Sequence, residues 1–136
     1  MDLVLVLVLV LDLDLDRDLH GSQSMNFRKL EVYQFAIRFL PIAAELAGRF
    51  SQQHAELADQ IRRASVSIPL NIAEGSGKTT GPDQRRFYAI ARGSAMECGA
   101  IVDACVSLKI LDPSEAKHAD DILSSVVRML SKMCRD

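Results

Sequence analysis

Apolar residues recur at intervals of three and four along most of the chain, and they predict four helices. Such intervals place side chains on one face of an α-helix. Gly75 and Gly77 are typical of a helix C-terminus, and Asp112 with Glu115 forms a capping-box pattern at a helix start. The predicted helices span about 26–50, 53–74, 82–108 and 113–133. Their short connections predict an all-α fold, an antiparallel up-down-up-down four-helix bundle.

Each predicted helix has an apolar stripe that we expect to face the core. The first helix carries Leu30, Tyr33, Ile37, Leu40, Ala44 and Ala47. The second carries Leu57, Ile61, Ala64, Ile68 and Ile72. The third carries Phe87, Ala91, Ser94, Cys98, Ile101, Cys105 and Leu108 at alternating intervals of four and three, which is a heptad pattern. The fourth carries Ala119, Ile122, Val126, Met129 and Met133.

The third helix has more apolar and small residues than one core-facing stripe requires. A second apolar line consists of Tyr88, Ala95 and Val102. This surplus predicts contacts between subunits, and therefore an oligomer. Gly93 and Gly99 each cost about 1 kcal/mol relative to Ala inside a helix, so they predict close packing of helices.

Residues 1–24 differ from the remainder of the chain. They alternate Leu with Val and then Leu with Asp, which is a low-complexity pattern. The segment lacks the basic start and cleavage site of a signal peptide, and it is too short and too acidic to span a membrane. We interpret residues 1–24 as a leader that is disordered or not native, with Met25 as the true start. Residues 25–136 then form one four-helix domain.

The formal net charge of −2 hides a basic region inside the predicted domain. Residues 1–24 contain five Asp and one Arg, whereas residues 25–136 carry 15 basic and 13 acidic groups. Between residues 62 and 92 there are six basic residues and two acidic ones, an excess that favours an anionic partner. The predicted nucleic-acid contacts are Arg62, Arg63, Lys78, Arg85, Arg86 and Arg92. A solvated surface with local ion pairs is the alternative interpretation.

Polar residues follow one face of the second helix, beside its apolar stripe. Arg63, Ser67, Asn71 and Glu74 are separated by four, four and three residues. Because Glu74 lies at the negative end of the helix dipole, we expect it to pair with Arg92 or Arg63. We predict a structural polar network made of Ser67, Asn71, Glu74, Ser94 and Glu97. A ligand contact at these residues is the alternative.

The sequence shows no recognisable catalytic, metal or cofactor constellation, so we predict a protein that is not an enzyme and binds no cofactor. His20, His54 and His118 lie in different segments, without the Glu-x-x-His pairs of metal-binding bundles. Residues 75–80 imitate the end of a phosphate-binding P-loop, but Ile72 occupies a glycine position and a helix precedes the segment. The three cysteines form no CxxC pair, which is typical of reduced thiols in a cytoplasmic protein.

Three groups of residues carry a resemblance to a known family. They are residues 27–33 (FRKLEVY), residues 60–75 with their QIRRA and SIPLNIAEG segments, and Phe87, Ala91, Gly93, Ser94 and Glu97 on the third helix. Over about residues 26–133 the chain resembles the bacterial four-helix bundle proteins encoded in intervening sequences of 23S ribosomal RNA genes. The accessory variability proteins of diversity-generating retroelements resemble the same family. The resemblance implies a ring-like homopentamer associated with nucleic acid.

The predicted function is non-enzymatic binding of structured nucleic acid, RNA in preference, by an oligomeric helical bundle. The few aromatic residues offer no stacking platform, so we expect contacts to backbone phosphates rather than to bases. The alternative is a structural or adaptor ring that binds a protein partner, such as a reverse transcriptase, without touching nucleic acid. We expect no membrane association for either function.

Overall fold

The computed structural model describes residues 23–135, and within them it contains four α-helices. The helices are α1 (Glu31–Arg49), α2 (Ala55–Ser76), α3 (Gly81–Ser107) and α4 (Pro113–Met133), with 3₁₀ helices at Gln23–Lys29 and Gln52–His54. The predicted all-α class and the four helices are confirmed. The leader predicted for residues 1–24 lies almost entirely outside the described residues.

Successive helices run in opposite directions, and α1 also packs against α4, which closes the four-helix bundle. Contacts between side chains fix the antiparallel register. The Ser94 hydroxyl donates to Ser67 Oγ at 2.9 Å between α3 and α2. Arg92 Nε donates to Ser131 Oγ at 2.7 Å between α3 and α4. Arg49 Nη1 lies 2.6 Å from Glu115 Oε2, joining the end of α1 to the start of α4.

Two helices begin at caps that the sequence encodes locally. Thr80 Oγ1 accepts a hydrogen bond from the Asp83 backbone N–H at 3.3 Å, and Pro82 lies in the first turn of α3. The predicted capping box of α4 is confirmed, because Asp112 Oδ1 accepts from the Glu115 N–H while Glu115 Oε1 accepts from the Asp112 N–H. Each cap satisfies backbone donors that a helix start leaves unpaired, and is worth about 1 kcal/mol.

The apolar stripe predicted for α2 forms the centre of the core. Ile61, Ile68 and Ile72 are completely buried, Ala64 is buried and Leu57 is half-buried. The prediction succeeds because polar residues occupy most of the positions between the members of this stripe, although Val66 and Leu70 are exposed apolar residues outside it. The helix continues without interruption through Pro69, which is itself buried.

The stripe predicted for α1 is wrong for most of its positions. The residues that α1 buries are Val32, Ala36, Phe39, Ile42, Ala43, Leu46 and Ala47. Among the residues predicted to be buried, only Ala47 is buried, whereas Ala44 is exposed and the other four are half-buried. The physical reason is that apolar residues surround much of this helix. Two stripes with helical spacing therefore compete, and only packing against α2 and α4 selects one.

The seam predicted for α3 needs a correction of the same kind. Ala91, Cys98, Ile101 and Cys105 are buried as predicted, but Phe87 and Ser94 are half-buried and Leu108 is exposed. The line that we assigned to subunit contacts, Tyr88, Ala95 and Val102, is buried inside the subunit. The two lines together form one wide face because α3 packs against α2 and α4 at once.

On α4 the predicted stripe is correct in part. Ala119 and Val126 are buried, while Ile122, Met129 and Met133 are half-buried at the edge of the core. Ala116, Leu123 and Leu130 complete the buried face. The core-facing direction of this helix is therefore rotated towards α3 relative to the prediction.

Close packing occurs at a glycine other than the two predicted. A Cβ atom built on Gly93 or Gly99 would meet no atom within 4 Å, so neither glycine marks a tight helix contact inside the subunit. A Cβ atom on the buried Gly75 would lie 2.8 Å from Tyr88 Cε1 and 3.0 Å from Phe87 Cβ. Gly75 therefore lets the end of α2 approach the start of α3.

Candidate nucleic-acid interface

The antiparallel topology divides the charges of the bundle between its two ends. We define the basic half as residues 25–40, 66–94 and 123–135, and the acidic half as residues 41–65 and 95–122, using the helix midpoints as boundaries. The basic half contains ten Lys and Arg residues and three Asp and Glu residues, a formal charge of +7. The acidic half contains five basic and nine acidic residues, a formal charge of −4. An anionic polymer is therefore attracted to one end of the bundle and repelled from the other.

Residues far apart in sequence form the basic half. Its positively charged members are Arg28, Lys29, Arg38, Lys78, Arg85, Arg86, Arg92, Arg128, Lys132 and Arg135. The Cys134 thiol lies 4.0 Å from the Arg85 carbonyl oxygen, so the C-terminal end of α4 adjoins the start of α3. The 3₁₀ helix at Gln23–Lys29 contacts both α1 and α2. The N-terminal and C-terminal cations of the described chain therefore join those of the α2–α3 connection.

Three of the six predicted contact residues lie together at the connection between α2 and α3. Lys78 Nζ and the guanidinium carbon of Arg86 each lie 4.9 Å from the centroid of the Phe87 ring. Arg85 is half-buried in the first turns of α3, with its guanidinium near Gly81. These three cations form the centre of the candidate interface.

The other three predicted residues are elsewhere. Arg62 and Arg63 are exposed on the acidic half of α2, roughly 20 Å from its C-terminal end at the rise of an α-helix. Arg62 lies 3.5 Å from Asp59, a surface ion pair of the kind considered in the sequence analysis. Arg92 is half-buried and hydrogen-bonded to Ser131, so it joins α3 to α4. The six residues are therefore not one continuous surface of the subunit.

Sequence reasoning missed the cations contributed by the ends of the described chain. Arg28, Lys29, Lys132 and Arg135 lie at the basic end although up to about a hundred residues separate them. The signal that could have located them is the topology, because in an up-down bundle the start of the first helix and the end of the fourth lie at the same end. A count of charges within one sequence window does not include them.

The predicted polar network brings three of its five residues into hydrogen bonds. Asn71 Nδ2 donates to the Ser67 carbonyl oxygen at 2.8 Å and to Ser67 Oγ at 2.9 Å, and the Ser94 hydroxyl donates to Ser67 Oγ. Glu97 lines the groove beside Ser67 and Ser94 but is exposed. These contacts connect α2 to α3 midway along the bundle.

The pairing predicted for Glu74 is wrong. Its carboxylate lies 3.9 Å from Lys78 Nζ, one helical turn further along the chain, rather than beside Arg92 or Arg63. Arg92 is directed towards α4, and Arg63 is eleven residues away on the same helix, roughly 16 Å along its axis. Glu74 therefore places an anion next to one of the cations of the candidate interface.

The thiols of Cys98 and Cys105 lack the surroundings of a reactive group. Cys98 and Cys105 are buried and form no disulfide. Burial, together with the negative charge of Glu97, raises the pKa of Cys98 to about 12, so this thiol stays protonated at neutral pH.

The segment that imitates a P-loop begins inside α2, and α3 begins only at Gly81, three residues after Lys78. It therefore lacks the strand-to-helix geometry of a nucleotide-binding loop.

Between residues 23 and 135, no three His, Cys, Asp or Glu side chains are grouped in a way that could hold a metal ion. Over the same range, no helix combines the length and the apolar character needed to cross a membrane.

Several large apolar side chains are exposed among residues 23–135. Val66 and Leu70 on α2 and Ile90 on α3 are 44%, 62% and 45% exposed on neighbouring helices. At the opposite side of the bundle, a cavity of about 300 Å³ lies between α1 and α4, with Ile42 and Leu46 among its lining residues. The three exposed side chains lie in the basic half, whereas the cavity lies in the acidic half.

The chain was compared with curated proteins and with protein families. No curated protein shows significant similarity to this chain. The family described as 23S rRNA-intervening sequence protein matches residues 28–132, from before α1 into the last turn of α4. The chain therefore belongs to the 23S rRNA-intervening sequence protein family.

Proposed function

We propose that this protein is a non-enzymatic, oligomeric four-helix bundle of the cytoplasm that binds structured nucleic acid through backbone phosphates. The observation that carries the proposal is the formal charge of +7 on the basic half, against −4 on the acidic half. Binding of Lys and Arg to phosphates releases condensed counterions, which is the main source of sequence-independent affinity for nucleic acid. The family description names the location of the genes, an intervening sequence of 23S rRNA, so the preference for RNA over DNA is the part of the proposal that the experiment below must decide.

We also propose that the protein assembles as a cyclic homo-oligomer, a pentamer by its resemblance to the family. Support comes from the exposed Val66, Leu70 and Ile90, which a neighbouring subunit would cover. All subunits of a cyclic ring point in the same direction along its axis. The basic halves of the subunits would therefore lie at equivalent positions around the ring, where a long anion could contact several of them at once.

The test is fluorescence anisotropy of the full chain with a labelled RNA hairpin and a DNA duplex at about 0.05 M and 0.15 M salt. We expect binding that weakens steeply with salt, with a slope of about 0.9 for each phosphate contact on a double-logarithmic plot. We also expect tighter binding to the RNA than to the DNA. Absence of binding to both at the lower salt concentration would reject the proposal.

An adaptor that binds a protein partner is the second candidate function. The observation that favours it is the cavity between α1 and α4, where Arg49 Nη2 lies 2.9 Å from Glu45 Oε1 and Arg49 Nη1 lies 2.6 Å from Glu115 Oε2. Two carboxylates share one guanidinium, so this apolar cavity has an anionic rim suited to a basic protein segment. Failure of RNA and DNA binding in the anisotropy experiment would leave this candidate as the favoured one.

Removing the charge of Glu74 is expected to strengthen binding. The Glu74 carboxylate competes with phosphate for Lys78, so Glu74→Gln should raise RNA affinity by about 2- to 5-fold, as expected for one exposed ion pair. Anisotropy titrations of the two proteins at the same salt concentration measure the change. Asp59→Asn, which removes the partner of Arg62 in the acidic half, is the matched control and should leave the affinity unchanged. Equal gains in both variants would show that only net charge matters.

A further inference from the structure

Phe87 lies in the basic half, and two cations lie over its ring. The Lys78 ammonium and the Arg86 guanidinium carbon are both 4.9 Å from the ring centroid. Cations within about 6 Å of a ring centroid are attracted by the negative charge on the ring face. Lys78 comes from the connection after α2 and Arg86 from the first turns of α3, so the ring gathers charges from two elements.

The ring is held in a fixed position by the close approach of α2 and α3. Phe87 is half-buried, and its Cβ lies 3.0 Å from the position that a Cβ on Gly75 would occupy. Its neighbour Tyr88 is buried against the same glycine. The backbone at Phe87 therefore has little freedom, and the ring is a rigid support for the two cations.

A rigid support changes how cations bind an anion. Free Lys and Arg side chains lose rotational freedom when they contact a ligand, and this loss weakens binding. Cations that already lie over a ring lose less freedom, because part of the ordering is present before the ligand arrives. The ring therefore contributes to affinity without touching the ligand.

The same contacts determine which part of a nucleic acid the site recognises. Proteins that read single strands stack bases on the faces of aromatic rings. In the basic half, cations lie over Phe87 and also over Phe27 and Phe35, where Arg28 and Arg38 are 5.4 Å and 5.3 Å from the ring centroids. Because cations lie over these rings, the ring faces are not open for stacking with bases, which favours recognition of phosphate groups.

We propose that Phe87 is a positioning residue that presents Lys78 and Arg86 to phosphate groups, irrespective of the attached base. The inference rests on the proposed binding of nucleic acid. It adds two points: Phe87 orders the cations, and phosphate is the group that they recognise. It predicts that an anionic polymer without bases binds the same site.

The experiment compares the full-length protein with its Phe87→Leu and Phe87→Tyr variants. Anisotropy measures binding of a labelled RNA hairpin, and unlabelled inorganic polyphosphate serves as the competitor. We expect Phe87→Leu to weaken RNA binding about 3- to 10-fold, because Lys78 and Arg86 would then lose more side-chain freedom on contacting the phosphates. Polyphosphate should compete with RNA for the wild-type protein. Its affinity for Phe87→Leu should be lower than its affinity for the wild-type protein by a similar factor. Phe87→Tyr, which keeps the ring, should bind as the wild-type protein does.

Several outcomes would overturn the inference. Unchanged RNA affinity in Phe87→Leu would show that the ring does not order the cations. Weaker binding of RNA with unchanged binding of polyphosphate would show that the ring contacts bases. If the thermal unfolding midpoint and the RNA affinity both fell in Phe87→Leu and in Phe87→Tyr, the role of Phe87 would be packing only. Wild-type protein that binds neither polymer would reject the proposed function itself, whereas the first three outcomes reject the role of Phe87 alone.

Discussion

Reversing the charges of Lys78 and Arg86 together is expected to weaken RNA binding by about 10- to 100-fold near 0.15 M salt. Each lost phosphate contact lowers the salt slope by about 0.9, and each new carboxylate repels the phosphates. Lys78 lies in the connection between α2 and α3, and Arg86 lies in the first turns of α3, both in the basic half. Anisotropy titrations of Lys78→Glu/Arg86→Glu across a range of salt concentrations measure both the affinity and the slope.

A matched control separates the position of a charge from its amount. The double variant Arg62→Glu/Arg63→Glu changes the net charge by the same amount, but in the acidic half of the bundle. Since charges more than about 8 Å apart are largely screened at physiological salt, we expect less than about a 3-fold effect. Similar losses in both double variants would contradict the assignment of binding to the basic half. Circular dichroism of each variant verifies that the helices are retained.

The number and order of the helices were predictable because each helix has its own local signals. The capping box at Asp112 and Glu115 and the proline after Thr80 define helix starts without reference to the other helices. The buried face of α2 was predictable for the same reason, since polar residues occupy most of the positions outside its apolar stripe. The buried face of α1 was not, because its apolar residues occupy most of the helix surface and neighbouring helices decide which of them are covered.

The candidate interface was predictable only in part, because charge density in a sequence window ignores tertiary structure. The window from residue 62 to residue 92 contained Lys78 and Arg86, which the structure brings together at the candidate interface. It also contained Arg92, which a hydrogen bond to Ser131 on α4 holds against the bundle. It could not contain Lys132, which the topology brings to the same end of the bundle. The division of charge between two ends is a property of the antiparallel arrangement, so it appears only when the arrangement is known.

Gly75→Ala is expected to lower the free energy of unfolding by up to about 2 kcal/mol. Alanine favours a helix over glycine by about 1 kcal/mol, but the added methyl group would lie 2.8 Å from Tyr88 Cε1 and 3.0 Å from Phe87 Cβ. Relieving such overlap in a closely packed site costs about 1–3 kcal/mol, and here it requires α2 and α3 to separate, because Phe87 Cβ moves only with the backbone. Thermal or urea unfolding at a fixed protein concentration measures the change.

The same substitution at Gly93 and Gly99 provides the control, because all three glycines lie inside helices but only Gly75 has close neighbours. We expect Gly93→Ala and Gly99→Ala to raise the free energy of unfolding by about 0.5–1 kcal/mol each, since the methyl group adds helix propensity and meets nothing within 4 Å. Opposite signs at Gly75 and at the other two glycines would show that close packing of α2 on α3 determines the effect. A stabilising Gly75→Ala would contradict the described approach of the two helices. A destabilising Gly93→Ala or Gly99→Ala would require a neighbour that the isolated subunit does not have, which a second copy in the proposed oligomer would supply.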